Sequence, residues 1–163
     1  KERLVVLGIK EEMAEDMTKP KNVIDVDFSK IRSPEAYFGS ARNEFLGNGK
    51  RFTAGMQIFS EPGQISFNKL YLVGDWEILP EYAENQSKEA KIIFRYNAKN
   101  VYLVAGSDAG TKIKIKKDGN IVKEELVKNE KLYNIIENSD YSEHVLEIII
   151  ENPGLRAFAF TFG

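Results

Sequence analysis

Trp76, Tyr37, Tyr71, Tyr82, Tyr102 and Tyr133 are the side chains best suited to a functional role. Each joins a flat apolar face to a polar edge, the surface on which sugar rings stack. The chemistry they predict is carbohydrate binding, not bond making. The same residue types also anchor cores and turns, and Trp76, beside Gly74 and Asp75, has the setting of a plug at the end of a sandwich.

Bond-making groups are sparse. His144, the single histidine, lies beside Glu143 and near Glu147, where a general base or metal ligand is one reading and a structural or exposed histidine the simpler one. No Ser, His and Asp set carries a nucleophile motif, and Gly106-Ser107-Asp108-Ala109-Gly110 lacks the pattern of a nucleophile elbow or phosphate loop. It reads as a strand-connecting loop. Asp25/Asp27 and Glu124/Glu125 would suit glycoside hydrolysis only if two carboxylates met across a cleft, and among 25 acidic residues such pairs arise by chance. Neither Asp25-x-Asp27 nor Ser107-Asp108 reproduces a calcium loop. With zero cysteines the chain has no thiol redox chemistry, disulfide or thiolate metal site of its own. The residues therefore predict no catalytic residue, cofactor or metal site, and glycoside hydrolysis is a remote alternative.

Composition bounds the partners. The chain has 163 residues, 42% of them hydrophobic and 29% charged, enough for one sizeable core. A net charge of -2 supplies no field for nucleic acid, and no apolar run reaches the ~18 residues needed to span a bilayer. The chain begins with Lys1 in place of Met, which predicts that a segment upstream has been removed.

The elements that must position these residues are strands. Residues 1–32 read as a linker or lead-in, with a helix-compatible stretch from Glu11 to Met17 ended by Pro20 and an edge-like strand from Val23 to Phe28. From about Gly47, short apolar segments alternate with Gly, Asn, Asp and Pro as in an all-β sandwich. Lys112 to Lys116 alternates Ile and Lys with period two, and Asp118-Gly119 tolerates the positive φ of a tight turn, so Ile121-Val122 should return antiparallel. The Lys-rich stretch 107–131 has interspersed acids and reads as a solvated face. Lys91–Tyr96, Val101–Ala105 and Leu132–Ile136 are predicted as separate strands. His144 to Glu151 is predicted to form a hairpin with the last strand through Asn152-Pro153-Gly154. On that strand Phe158, Phe160 and Phe162 share one face, predicted as core, and Ala157, Ala159 and Thr161 share the other, suited to close packing or to the floor of a shallow groove.

Four runs carry a family pattern: Ser33 to Gly39, Leu72 to Trp76, Ala98 to Val104, and Pro153 to Gly163. In order and spacing they resemble the C-terminal domain of DipZ-type thioredoxin-like and cytochrome c biogenesis proteins, over residues 33–163. The resemblance implies a β-sandwich like a carbohydrate-binding module, following a membrane-embedded segment and a thioredoxin fold. It also implies an extracytoplasmic location, periplasmic or extracellular. The family's redox function would sit in a Cys-x-x-Cys motif, which a chain with zero cysteines cannot supply.

The expected fold is thus a two-sheet, antiparallel, jelly-roll-like β-sandwich over 33–163, with a short irregular or helical lead-in. The expected function is that of a non-catalytic accessory module binding glycan or another cell-envelope component. The alternative is a protein-interaction or structural cap that orients the upstream thioredoxin-like domain.

Overall fold

The computed structural model describes residues 33–163. The predicted helical stretch Glu11–Met17, the strand Val23–Phe28 and the pair Asp25/Asp27 lie outside the described residues.

Nine strands and no helix occur among the described residues. In chain order they are β1 (Ala36–Tyr37), β2 (Gly55–Phe59), β3 (Leu70–Ile78), β4 (Ala83–Asn85), β5 (Ala90–Gly106), β6 (Thr111–Lys117), β7 (Asn120–Val127), β8 (Lys131–Ile150) and β9 (Arg156–Phe162). All their pairings are antiparallel. The fold is an all-β sandwich, as the alternating segments predict.

Two of the strands run through both layers, which corrects the reading of four separate strands. The segments 91–96 and 101–105 are halves of β5, and 132–136 and 144–150 are halves of β8. Along β5, Ala90, Ile92, Phe94, Tyr96 and Ala98 are buried, then Val101, Leu103 and Ala105, so the inward parity flips near Lys99. A register shift between Ala98 and Asn100 absorbs the odd residue, and residues 138–141 of β8 bulge opposite it. An irregularity of this kind bends a strand without ending its pairing, so apolar sets of both parities reach one core.

The halves separate the layers. The N-terminal half of β5 pairs with β3 and with the C-terminal half of β8, which pairs in turn with β6. The C-terminal half of β5 pairs with the start of β8 and with β9, whose other edge takes β1 and β4. Leu72, Ile92, Ile148 and Ile115 form a fully buried cross-strand row in the first layer, and Ala36, Phe160, Leu103 and Tyr133 form its counterpart in the second. Phe94 and Phe160 stack across the core with centroids 5.7 Å apart.

The hairpin β6–β7 forms as its sequence predicts. Ile113 and Ile115 are buried and Lys112 and Lys114 exposed, and Asp118 and Gly119 take φ of 52° and 88°. The last predicted hairpin does not form. Both edges of the C-terminal half of β8 are occupied, by β5 and β6, so the turn at 152–154 carries the chain across to β5 and β4 instead.

Phe160 and Phe162 are core residues, as expected. Phe158 is only half-buried: the register shift opposite Val104/Ala105 leaves it as the extra residue, and its ring packs on Tyr82 at 5.0 Å.

Candidate functional site

The face of β9 opposite Phe160 and Phe162 is open at Ala159 and Thr161, whereas Ala157, expected on the same face, is buried because the register shift at Phe158 flips its parity. Residues directly opposite in antiparallel strands point to the same side of the sheet. Tyr37, Ala159, Val104 and Leu132 therefore form one outward row across β1, β9, β5 and β8, and Thr161, Tyr102 and Asn134 form the next. Leu132 is exposed and the other six are half-buried. Small groups on β9 thus sit between two tyrosines, a shallow strip with an aromatic wall on either side. Strand alternation makes it: the same seven residues that bury Phe160 and Phe162 must turn Ala159 and Thr161 outward.

Tyr37 donates its hydroxyl hydrogen bond to Glu35 Oε1 at 2.7 Å, and Arg42 Cζ lies 4.0 Å from its ring centroid. The hydrogen bond to Glu35 raises the phenol's pKa, with smaller contributions from desolvation and the charge of Glu35, so this tyrosine stays neutral at ordinary pH. At the other end, Asn134 donates to Glu137 Oε2 at 2.8 Å, while its buried Oδ1 has no hydrogen-bond partner among the described residues. Asn134 also borders a concavity of about 310 Å³ walled by Val122, Ile135, Ile136, Lys117 and Lys123.

Only half of the predicted aromatic set reaches solvent. Tyr37, Tyr82 and Tyr102 are half-buried, whereas Trp76, Tyr71 and Tyr133 are buried. For these three the structure corrects the binding role. Trp76 is 0% exposed and donates its indole N–H to Val73 O at 3.0 Å. The Tyr71 hydroxyl accepts from Ser66 N at 2.8 Å while its ring covers Gly47. The Tyr133 hydroxyl accepts from Lys128 N and donates to Asn129 O, closing the loop before β8. In each case the polar edge satisfies backbone and leaves no ring face for a ligand. Tyr82 lies apart from the strip, on Phe158.

Gly39 holds β1 against the chain leading to Tyr82. A Cβ there would lie 2.3 Å from Pro80 O and 2.6 Å from Tyr82 N, both backbone atoms. Gly39→Ala is expected to destabilise the domain by about 1–3 kcal/mol, read as a lower urea midpoint.

The other sequence candidates resolve simply. Glu124 and Glu125 are adjacent on β7 and so point to opposite faces, and Glu125 pairs with Lys123 at 3.3 Å. Asp108 pairs with Arg156 at 3.2 Å. No group of three or more His, Cys, Asp or Glu suited to a metal occurs among the described residues. No helix there is long and apolar enough to cross a membrane. One constellation escaped the sequence reading: His144 meets both Ser142 and Asp118, residues separated by the whole of β7 and most of β8.

Fold and face together define a cysteine-free β-sandwich domain. The chain belongs to the thioredoxin-like C-terminal domain family, whose sequence profile matches residues 33–163. It is 28% identical over 131 residues to Protein DipZ of Mycobacterium bovis (strain ATCC BAA-935 / AF2122/97), covering 80% of this chain and 18% of that protein. The match to Protein DipZ of Mycobacterium tuberculosis (strain CDC 1551 / Oshkosh) has the same identity and coverage. The chain thus spans 18% of the length of these curated relatives. Among solved structures, a family two carbohydrate esterase from Cellvibrio japonicus is similar with a TM-score of 0.51 at 13% identity, over 68% of this chain and 33% of that one. At that identity the likeness speaks for the sandwich fold alone.

Proposed function

We propose that residues 33–163 are an accessory binding module of a thioredoxin-like protein, engaging a glycan or another cell-envelope component on the outer strip between Tyr37 and Tyr102. The observation that carries this reading is the register that sets two tyrosines about the small residues Ala159 and Thr161 on an otherwise open sheet face. A sugar ring fits such a strip by stacking on a tyrosine while the polar ends, Glu35, Arg42 and Asn134, meet its hydroxyls. The family membership supports the accessory role, and in this reading thiol chemistry belongs to a thioredoxin-like neighbour, since this sequence has no cysteine. An extracytoplasmic location and a boundary near residue 33 belong to the same proposal.

A glycan array and a cell-wall pull-down test it. Saturable binding is expected, and Tyr102→Ala should weaken it about tenfold, equivalent to ~1.4 kcal/mol, with an unchanged thermal midpoint. Equal binding by wild type and Tyr102→Ala would reject the strip as the site.

A second reading, a cap that packs on the upstream thioredoxin-like domain, draws on a different surface. On β2, which among the described residues pairs with β3 alone, Met56 is 60% and Ile58 81% exposed. Co-expression with that domain, followed by loss of contact in Ile58→Asp, distinguishes the two.

A further inference from the structure

At the open rim of the core, away from the binding strip, β8 and the β6–β7 turn bring three polar residues together. Ser142 and His144 lie two apart on β8 and so share a face, and Asp118 reaches them from the turn, where its φ of 52° aims it back over β8. Ser142 Oγ lies 2.7 Å from His144 Nε2, and His144 Nδ1 lies 2.5 Å from Asp118 Oδ2. Asp118 is itself fixed, its Oδ1 accepting from Val145 N at 2.9 Å. An ionised carboxylate only accepts, so Nδ1 carries a proton, and in the neutral imidazole Nε2 then accepts from the serine hydroxyl. The Asp118 carboxyl is the balance of a desolvation that raises its pKa against the Val145 and His144 hydrogen bonds that lower it; the lowering prevails, and the group is ionised at neutral pH.

We infer that Ser142, His144 and Asp118 form a nucleophilic relay able to transfer the acyl group of a small, uncharged ester to water. This role goes beyond the binding function proposed above and does not depend on it. Nucleophile, base and orienting acid stand in hydrogen-bond sequence, the arrangement that activates a serine on unrelated folds. His144 is 19% exposed in its side chain and Ser142 half-buried, so the base is shielded while the rim stays open. Deeper in the rim, the His144 ring packs on Tyr96 at 5.9 Å, the Tyr96 hydroxyl meets the Asn138 side chain, and Asn138 Oδ1 accepts from Lys117 Nζ at 2.8 Å. Burial pushes the Tyr96 phenol up to about 12, so it remains a donor. Lys117 also borders the concavity of Val122, Ile135, Ile136, Lys123, Asn134 and Glu137, a mixed lining that offers a short acyl chain apolar contact on one side.

In the forward step Ser142 Oγ bonds to the carbonyl carbon as its proton passes to Nε2. The bond from that carbon to the alcohol oxygen then breaks, and the alcohol leaves with the proton from Nε2. Water next adds to the acyl carbon, giving one proton to Nε2. The bond to Ser142 Oγ breaks, Oγ recovers that proton, and the carboxylic acid departs.

The test uses the full chain, a fluorophosphonate probe and p-nitrophenyl acetate. A probe adduct on Ser142 is expected by peptide mass, together with ester hydrolysis that Ser142→Ala lowers about 100-fold and Asp118→Asn at least tenfold. Native Trp76 fluorescence in each variant separates these losses from unfolding. Because the chain has zero cysteines, Ser142→Cys offers a readout independent of turnover. Its thiol should react with iodoacetamide at pH 7 about tenfold faster than in the Ser142→Cys/His144→Gln double variant, since a neighbouring imidazole favours thiolate. Hydrolysis unaltered in Ser142→Ala, or equal alkylation of the two cysteine variants, would overturn the relay.

Discussion

Trp76→Ala is expected to remove about 3–5 kcal/mol of folding stability, the range for truncating a large buried aromatic. Against a typical domain stability of roughly 5–15 kcal/mol, that leaves a marginal fold. The indole is wholly enclosed and its N–H is bound to Val73 O, so the variant loses apolar burial and that hydrogen bond together. Trp76→Phe keeps most of the burial and should lose about 1–2 kcal/mol. As this is the single tryptophan, the measurement is urea unfolding followed by far-ultraviolet circular dichroism. A Trp76→Ala protein as stable as wild type would contradict a core role and return this ring to the candidate binding residues.

Asn85→Ala is expected to be nearly as damaging, about 2–4 kcal/mol, although it removes little apolar surface. Asn85 is fully buried at the end of β4. Its Nδ2 donates to Ser87 O and Asn152 O, both at 3.0 Å, and its Oδ1 accepts from Leu155 N at 2.7 Å. One side chain thereby ties β4 to the turn that replaces the predicted final hairpin, and its loss removes three hydrogen bonds to buried backbone, of which that to Asn152 O is backed by Thr111 Oγ1 at 3.3 Å. Asn85→Asp separates hydrogen bonding from packing: it keeps the acceptor for Leu155 but sets carboxylate oxygen against two carbonyl oxygens, so it should be no more stable than the alanine variant. An aspartate variant with wild-type unfolding would show that these bonds are dispensable.

Much of the architecture was legible before the structure. The Ile and Lys alternation of β6 predicts its buried and solvated faces because successive strand residues point to opposite sides. Asp118-Gly119 predicts its turn because few other pairs accept positive φ twice. The runs at Ser33, Leu72, Ala98 and Pro153 carry the family. The aromatic site was legible only in kind. An exposed tyrosine and a buried one have the same composition and similar neighbours in sequence, and Tyr102 differs from Tyr133 only in which side of its strand the second layer covers.

What the amino-acid order determined by itself is local: strand periodicity, turn chemistry, and the absence of thiol chemistry. What tertiary structure alone decided depends on pairs far apart in the chain. The irregularity near Lys99 fuses four predicted strands into β5 and β8, since pairing continues across a bulge that looks like a strand end in one dimension. Occupied edges on β8 redirect β9 to β5, which places Ala159 between Tyr37 and Val104. Asp118 meets His144 across 26 residues because β6 pairs with β8, a register that no run of neighbouring residues encodes.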